Sequence, residues 1–488
     1  MSARRRQRPP AGAPPAPESS RRGAVLWAGG VFLWALVCHL VYLRGDLLFD
    51  KPVSPLFFGD GVHFLAHARQ LAAGESLGAA LPFHPPLTAW LLTPLWRWLE
   101  QPELVYQASK LLMVVLNGAT YAMTFLLLRR RTPLAGPICL LLPLCFGELL
   151  LSSVANSEAV YRPLLGGMLL LGFRWPLAGG ALHAAAALTR AEHLPVALLA
   201  LAALAVALPA RRRWAAATAA SCVLLLVPYL LTAHRQLVAY NLEHAAELPA
   251  PLPTWVPISF YGPLNFALAQ REEGIFFSRR TLPVAAEDAT LDPRHPIHHR
   301  YVTQGYRLGF AAIAAAPGRF LSRTLAKAGH SLQAVGYGWA WRDLPKGREW
   351  LRPPIDMAFA REPLYLAVAL ALAALGAWSL RRDRPLLAVG GLLLAYRLAV
   401  NVAFFPYLRS MMIAAPFFLF LLLAGLQPLA RGATRRVLVT VLVLLGGFHL
   451  ATGWRTRDYR LSGERDAAGV IYDDRPVVVR FTGLRERR

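Results

Sequence analysis

Apolar residues in this chain come in long runs, separated by short breaks that carry arginine. Runs near 24–43, 104–128, 134–152, 159–173, 176–189, 193–209, 214–232, 363–380, 385–404, 410–429 and 437–453 approach the roughly 20 residues a helix needs to cross a bilayer. Lipid offers backbone N–H and C=O groups no partner, so runs of this length predict helices. The pattern predicts an all-α polytopic membrane protein with about eleven transmembrane helices.

Three stretches depart from it. In "FFGDGVHFLAHARQLAAGE", residues 57–75, Asp60, His63, His67 and Gln70 share one face of a predicted helix, and Phe64, Ala68, Leu71 and Ala72 share the other. Such a helix on the outer surface buries the second face and shows the first to water. "LPFHPPLTAWLLTPLW" follows. There Pro85 and Pro86 fix an extended turn, and the run from Leu87 predicts a second surface helix. Further on, "PGRFLSRTLAKAGHSLQAVGYGWAW" alternates apolar and basic residues. It predicts a helix lying in the interface, with Trp339, Trp341 and Trp350 at headgroup depth.

Composition narrows the class. Of 488 residues 56% are hydrophobic and only 16% charged, with mean hydropathy +0.39, which excludes a soluble globular protein. The net charge of +24 is dispersed as short caps between apolar runs, so no nucleic-acid partner is expected. Cys38, Cys139, Cys145 and Cys222 all lie inside apolar runs and read as packing residues.

Arginine position orients the chain. With a basic, Pro-rich and disordered tail (1–23) in the cytoplasm, Arg129–Arg131, Arg174, Arg211–Arg213, Arg381–Arg384 and Arg431 with Arg435 and Arg436 all fall inside. The organisation expected is a membrane module over 24–232 with a first outer loop at 45–103, and an outer region with interfacial helices over 233–362. C-terminal membrane helices over 363–453 and an outer tail over 454–488 complete it.

The outer face then carries the candidate chemistry. Asp60 is a candidate general base, and a D-x2-H-x3-H metal site through Asp60, His63 and His67 stays open beside a plain solvated stripe. Glu158, in "VANSEAVYRP", reads as an acid near a helix start capped by Asn156 or Ser157, or as an acceptor-positioning or metal-sharing carboxylate. Arg162 is placed to pair with it. Arg190 and Arg409, at span ends, either snorkel to headgroups or hold a phosphate. Arg300, His298 and His299 in "RHPIHHRY" are further phosphate candidates, and His84 is a turn residue or a site residue. His39, Lys110, Glu148, His183 and Arg397 are ionisable groups scattered within the spans, with no evident relay among them.

The motifs, taken in order, resemble a family. The "GDG" segment after the first helix, then "FHPPL", "NSEAVYRPLL", "AALTRAEHL" and "FPYLRSMMIAAPFF", is similar to the GT-C glycosyltransferases that use lipid-phosphate sugars. The protein mannosyltransferase and aminoarabinose transferase branch is the nearest in pattern. The resemblance spans about 24–453; Ala191 stands where the family has proline, and Gly61 where it often has a second acid. It implies a GT-C fold in a bacterial inner membrane and a polyprenyl-phosphate sugar donor. It also implies a protein, lipid or glycan acceptor, with Asp60 at the catalytic position. His63, His84 and Lys110 are further active-site candidates, and a divalent cation (Mg, Mn or Ca) held by Asp60 and Glu158 is possible chemistry for the family's acid pair. A transporter or lipid flippase, or an O-antigen ligase or polymerase with a diphosphate-linked donor, are the rival classes.

Overall fold

The computed structural model describes residues 21–43, 60–78, 81–99, 101–132, 134–144, 155–271, 293–336, 363–406 and 408–426, with positions 148, 151 and 440. Every regular element among them is helical. In chain order these are α1 (Arg21–Leu43), α2 (Asp60–Ala72), α3 (Leu87–Trp98), α4 (Pro102–Leu128), α5 (Ala135–Leu141), α6 (Ser157–Gly167), α7 (Pro176–Thr189) and α8 (His193–Ala207). Then follow α9 (Arg212–Glu243), α10 (Tyr261–Ala269), α11 (Pro296–Ala315), α12 (Pro317–Gly336), α13 (Pro363–Ser379), α14 (Arg384–Ala403), α15 (Leu408–Met411) and α16 (Ala415–Leu426).

Local chemistry starts several of them. Proline opens α4, α7 and α11, where its missing N–H has no intrahelical partner to lose. Asn156 caps α6, its side chain accepting from the Ala159 amide at 2.7 Å, and Asp383 caps α14 in the same way.

The chain is a membrane protein. Four described helices are long and apolar enough to cross a bilayer: Arg22–Leu40, Leu104–Leu128, Pro209–Glu243 and Leu386–Ala403; shorter apolar helices include His193–Ala207 and Ala415–Leu426. In the run at 134–152, α5 tightens into a 3-10 turn over 142–144 around Pro143, and most of the rest of the run lies outside the described residues. The run at 437–453 apart from position 440, the tail 454–488 and the tryptophans at 339, 341 and 350 lie outside the described residues.

Two connections expected on one side of the bilayer meet, with Arg131 Nη1 2.5 Å from Asp383 Oδ1. The connections at 174 and 211 meet as well, Trp214 Nε1 donating to Gly172 O at 3.2 Å. The partners α13 and α16 cross closely through Gly376 and Gly425; a Cβ on either would sit 2.0 Å from a carbonyl oxygen of the other helix.

Helix α9 has 32 residues, about 48 Å at helical rise, and outruns the roughly 30 Å hydrocarbon core. Its second half, through Tyr229, Leu237 and Tyr240, packs with Leu77, Leu81, Phe83, Ile258 and Leu264 in one apolar cluster. The Tyr229 hydroxyl donates to Ile258 O at 2.6 Å, and Ser259 Oγ donates to Phe83 O at 2.6 Å. A cap built from the first loop and the 252–268 segment therefore sits over this end of the helices.

Candidate active site

The turns at the opposite end from Arg131 and Asp383 hold a buried charged centre. Glu158 is the second residue of α6, after the Asn156 cap, and it is 1% exposed. Arg190 follows the last residue of α7. Its Nη1 donates to Glu158 Oε1 at 2.7 Å and to Ser157 Oγ at 3.1 Å, while its Nε donates to Glu192 Oε1 at 2.6 Å. Arg397, buried in α14, reaches the same Glu192 oxygen at 3.2 Å and donates its other terminal nitrogen to Ser410 Oγ in α15. One carboxylate oxygen is thus bridged by two guanidinium groups.

The electrostatics follow from that geometry. Burial alone would push the Glu192 carboxyl up, but Arg190 and Arg397 outweigh it and hold the group at about 2. Burial acts against the Arg190 charge, yet Glu192 and Glu158 hold its pKa well above the ordinary arginine value. Beside this centre the His193 ring lies between Tyr161 and His183, with Nδ1 2.6 Å from the Tyr161 hydroxyl and Nε2 3.0 Å from His183 Nδ1.

Asp60 opens α2. The next residue explains its placement: a Cβ on Gly61 would fall 2.7 Å from the carbonyl oxygen of Ala155. Only a bare backbone can approach so closely. The head of α2 is thereby laid on the turn that leads, three residues later, to Glu158. The same contact accounts for the missing neighbouring acid, since any side chain at 61 would collide.

Within the polar stripe of α2, His63 is half-buried. His67 and Gln70 are buried, as are Phe64, Leu65 and Ala68 on the other side, and Arg69 is the exposed position. His84 closes over the stripe, its ring centroid 5.0 Å from His63, 5.9 Å from His67 and 5.0 Å from Tyr261. Burial, with His63 beside it, lowers His67 to about 3. The sequence period located the stripe correctly but could not register that "PFHPP" folds back on it.

Other candidates scatter. Arg162 pairs with Glu148 at 2.6 Å, not with Glu158. That pair joins a network in which the Tyr121 hydroxyl donates to Glu148 at 2.7 Å and lies 3.3 Å from His39 Nε2. Helices α1, α4 and α6 are linked by it, so His39 and Glu148, two of the ionisable groups within the spans, connect through Tyr121. Lys110 is buried in α4. His299 is tied to Ala250 O at 2.8 Å, and Arg300 is exposed on the same turn of α11. Arg409 sits in α15 beside Ser410, the partner of Arg397.

A divalent cation fits Glu158 poorly, because the Arg190 guanidinium already occupies one carboxylate oxygen. Among the described residues no group of three or more His, Cys, Asp or Glu is arranged to hold a metal. Glu192, Arg397 and Ser410 are the members that sequence reasoning did not single out as site residues. Glu192 stood within the quoted "LTRAEH" turn, and Arg397 stood among the scattered intramembrane charges.

These features define an all-helical membrane protein with a capped, buried charged centre at one end. No protein-family model matches the sequence, and no curated protein matches it. Among solved structures the chain is similar to the crystal structure of ArnT from Cupriavidus metallidurans bound to undecaprenyl phosphate. That match has 16% identity and a TM-score of 0.34, and it covers 84% of this chain and 79% of the other.

Proposed function

We propose that the protein is a membrane glycosyltransferase of the GT-C type. It moves a sugar from a polyprenyl-phosphate donor to an acceptor hydroxyl at the outer face of the bacterial inner membrane, with inversion. Asp60 takes the acceptor proton as the hydroxyl attacks the anomeric carbon and the lipid phosphate leaves. No carboxylate nucleophile is needed for a single displacement.

One observation carries this reading: three motifs far apart in sequence meet. The "GDG" head of α2 rests on Ala155, "NSEA" supplies Glu158, and "LTRAE" supplies Arg190 and Glu192 to the same turn region. A leaving phosphate needs preorganised cations. The guanidinium groups of Arg190 and Arg397 converge on Glu192 Oε1, as they would on a phosphate oxygen. Glu192 is 25% exposed and holds the place that the donor phosphate takes when it binds. Arg190 then keeps Glu158 as its second partner, and Glu158 positions the acceptor. Arg409, Arg300 and His299 remain further donor-phosphate candidates.

The buried Glu148–Arg162 network is the observation that favours a transporter. The two charges neutralise each other, which suits a fixed link between helices better than a path. The test is consumption of a labelled polyprenyl-phosphate sugar by the full chain and by Asp60→Asn at matched protein level. Turnover should collapse in the variant; unchanged turnover removes Asp60 from the mechanism.

A further inference from the structure

Beside the charged centre, Tyr161, His193 and His183 form a hydrogen-bonded row that the sugar-transfer chemistry above does not use. Tyr161 lies one turn after Ser157 on α6, His193 opens α8, and His183 sits on α7. Tyr161 and His193 are buried and His183 is half-buried, so the row has a closed end and a more open one. His193 uses both ring nitrogens: Nδ1 is 2.6 Å from the Tyr161 hydroxyl, and Nε2 is 3.0 Å from His183 Nδ1. Met168, Ala186 and Ile413 pack with Tyr161 in one apolar cluster.

A neutral imidazole has one N–H and one bare nitrogen. The row therefore has two neutral arrangements. In one, the Tyr161 hydroxyl donates to His193 Nδ1, and His193 Nε2–H donates to His183 Nδ1. In the other, His183 Nδ1–H donates to His193 Nε2, and His193 Nδ1–H donates to the Tyr161 oxygen, which leaves the hydroxyl proton for a further acceptor. Passing from the second to the first moves a proton along the row and leaves no charge on it. The closed end meets the charged centre. Tyr161 is within electrostatic reach of Arg397, Glu192 and Arg190, with Tyr396 beside them on α14. His193 follows Glu192 and is coupled to it and to Arg397, and its amide donates to Arg190 O at 2.9 Å.

We propose that Tyr161, His193 and His183 form a proton relay serving the charged centre, an inference that rests on the sugar-transfer reading. Loss of the sugar turns a phosphodiester into a phosphomonoester, whose second pKa is about 6, so the leaving group takes up a proton near neutral pH. The bond from the anomeric carbon to the phosphate oxygen breaks, its electron pair stays on that oxygen, and the phosphate takes the Tyr161 hydroxyl proton. His193 Nδ1 then returns a proton to Tyr161, His183 Nδ1 returns one to His193 Nε2, and water supplies one to His183 Nε2.

The test is the pH profile of labelled polyprenyl-phosphate sugar turnover, from pH 6 to 9, by the full chain and by Tyr161→Phe and His183→Asn. Phenylalanine keeps the ring, and asparagine keeps a hydrogen-bonding group near the Nδ1 position, but neither passes a proton. Both variants should lose about 100-fold in kcat at pH 9, the low end for general acid catalysis, and little at pH 6, where solvent protonates the phosphate. Donor KM should stay unchanged. If Tyr161→Phe does not fold, His183→Asn gives the reading, because it is the half-buried member and does not touch Tyr161. An equal loss at every pH shows a structural role and overturns the relay. Wild-type kcat in His183→Asn across the whole range also overturns it, and leaves the sugar-transfer reading intact. Absence of Asp60-dependent turnover in the wild type rejects that reading, and the relay falls with it.

Discussion

Replacing Gly61 with alanine probes how the head of α2 is seated. The added Cβ would lie 2.7 Å from Ala155 O. An ordinary carbon–oxygen contact is about 3.3 Å, so roughly 0.6 Å of backbone movement is needed. The atom in the way is backbone, held in the turn that Asn156 ties to Leu151 O at 2.6 Å and to the Ala159 amide. Overpacking of this kind costs about 1–3 kcal/mol. A displacement near 1 Å at a reacting group costs about 100-fold in rate, so Gly61→Ala should lose on the order of tenfold or more in donor turnover. Thermal unfolding of the detergent-purified protein should fall at the same time. Gly136→Ala is the control, because a Cβ in that α5 position meets nothing within 4 Å. It should leave activity unchanged, and stability unchanged or raised by about 0.5–1 kcal/mol. A Gly61→Ala protein as stable and as active as the wild type would refute the seating of α2 on the 155 turn.

Other outcomes follow from the charged contacts. Glu148→Gln leaves the buried Arg162 guanidinium without its counter-ion and should destabilise the protein by about 3–5 kcal/mol, read from thermal unfolding. Glu192→Gln removes the internal anion between Arg190 and Arg397 and should lower the donor KM several-fold; a raised KM would show Glu192 to be a positioning group instead. Acid sensitivity tests the same residue. Its pKa is held at about 2, below the ordinary 4.5, so its contribution to stability is present above 4.5 and is lost as pH falls through 2. A melting-temperature profile from pH 6 to 2.5 should be flatter in Glu192→Gln than in the wild type.

Much of the architecture was legible because a bilayer leaves the backbone so few choices. The runs at 104–128, 176–189, 193–209, 363–380 and 385–404 match the helices α4, α7, α8, α13 and α14 within a few residues. Pairings were not legible. Arg162 lies one helical turn after Glu158, and sequence spacing joins them, yet Arg190 takes Glu158 and Arg162 turns to Glu148. Periodicity reports which residues share a face but not what covers it. The α2 stripe therefore reads as solvated or metal-binding, whereas His84 packs over its His63 and His67. Gly61 read as an absence of acid; only the approach of Ala155 shows why no side chain fits there.

Sugar transfer differs from lipid transport in whether the sugar–phosphate bond breaks. The most direct measurement places the full chain in proteoliposomes with a polyprenyl-phosphate sugar labelled in the sugar and in the lipid. The account predicts that free polyprenyl phosphate is released in step with loss of sugar from the lipid, and that Asp60→Asn abolishes both. Movement of doubly labelled lipid across the bilayer, with no bond broken, would contradict it.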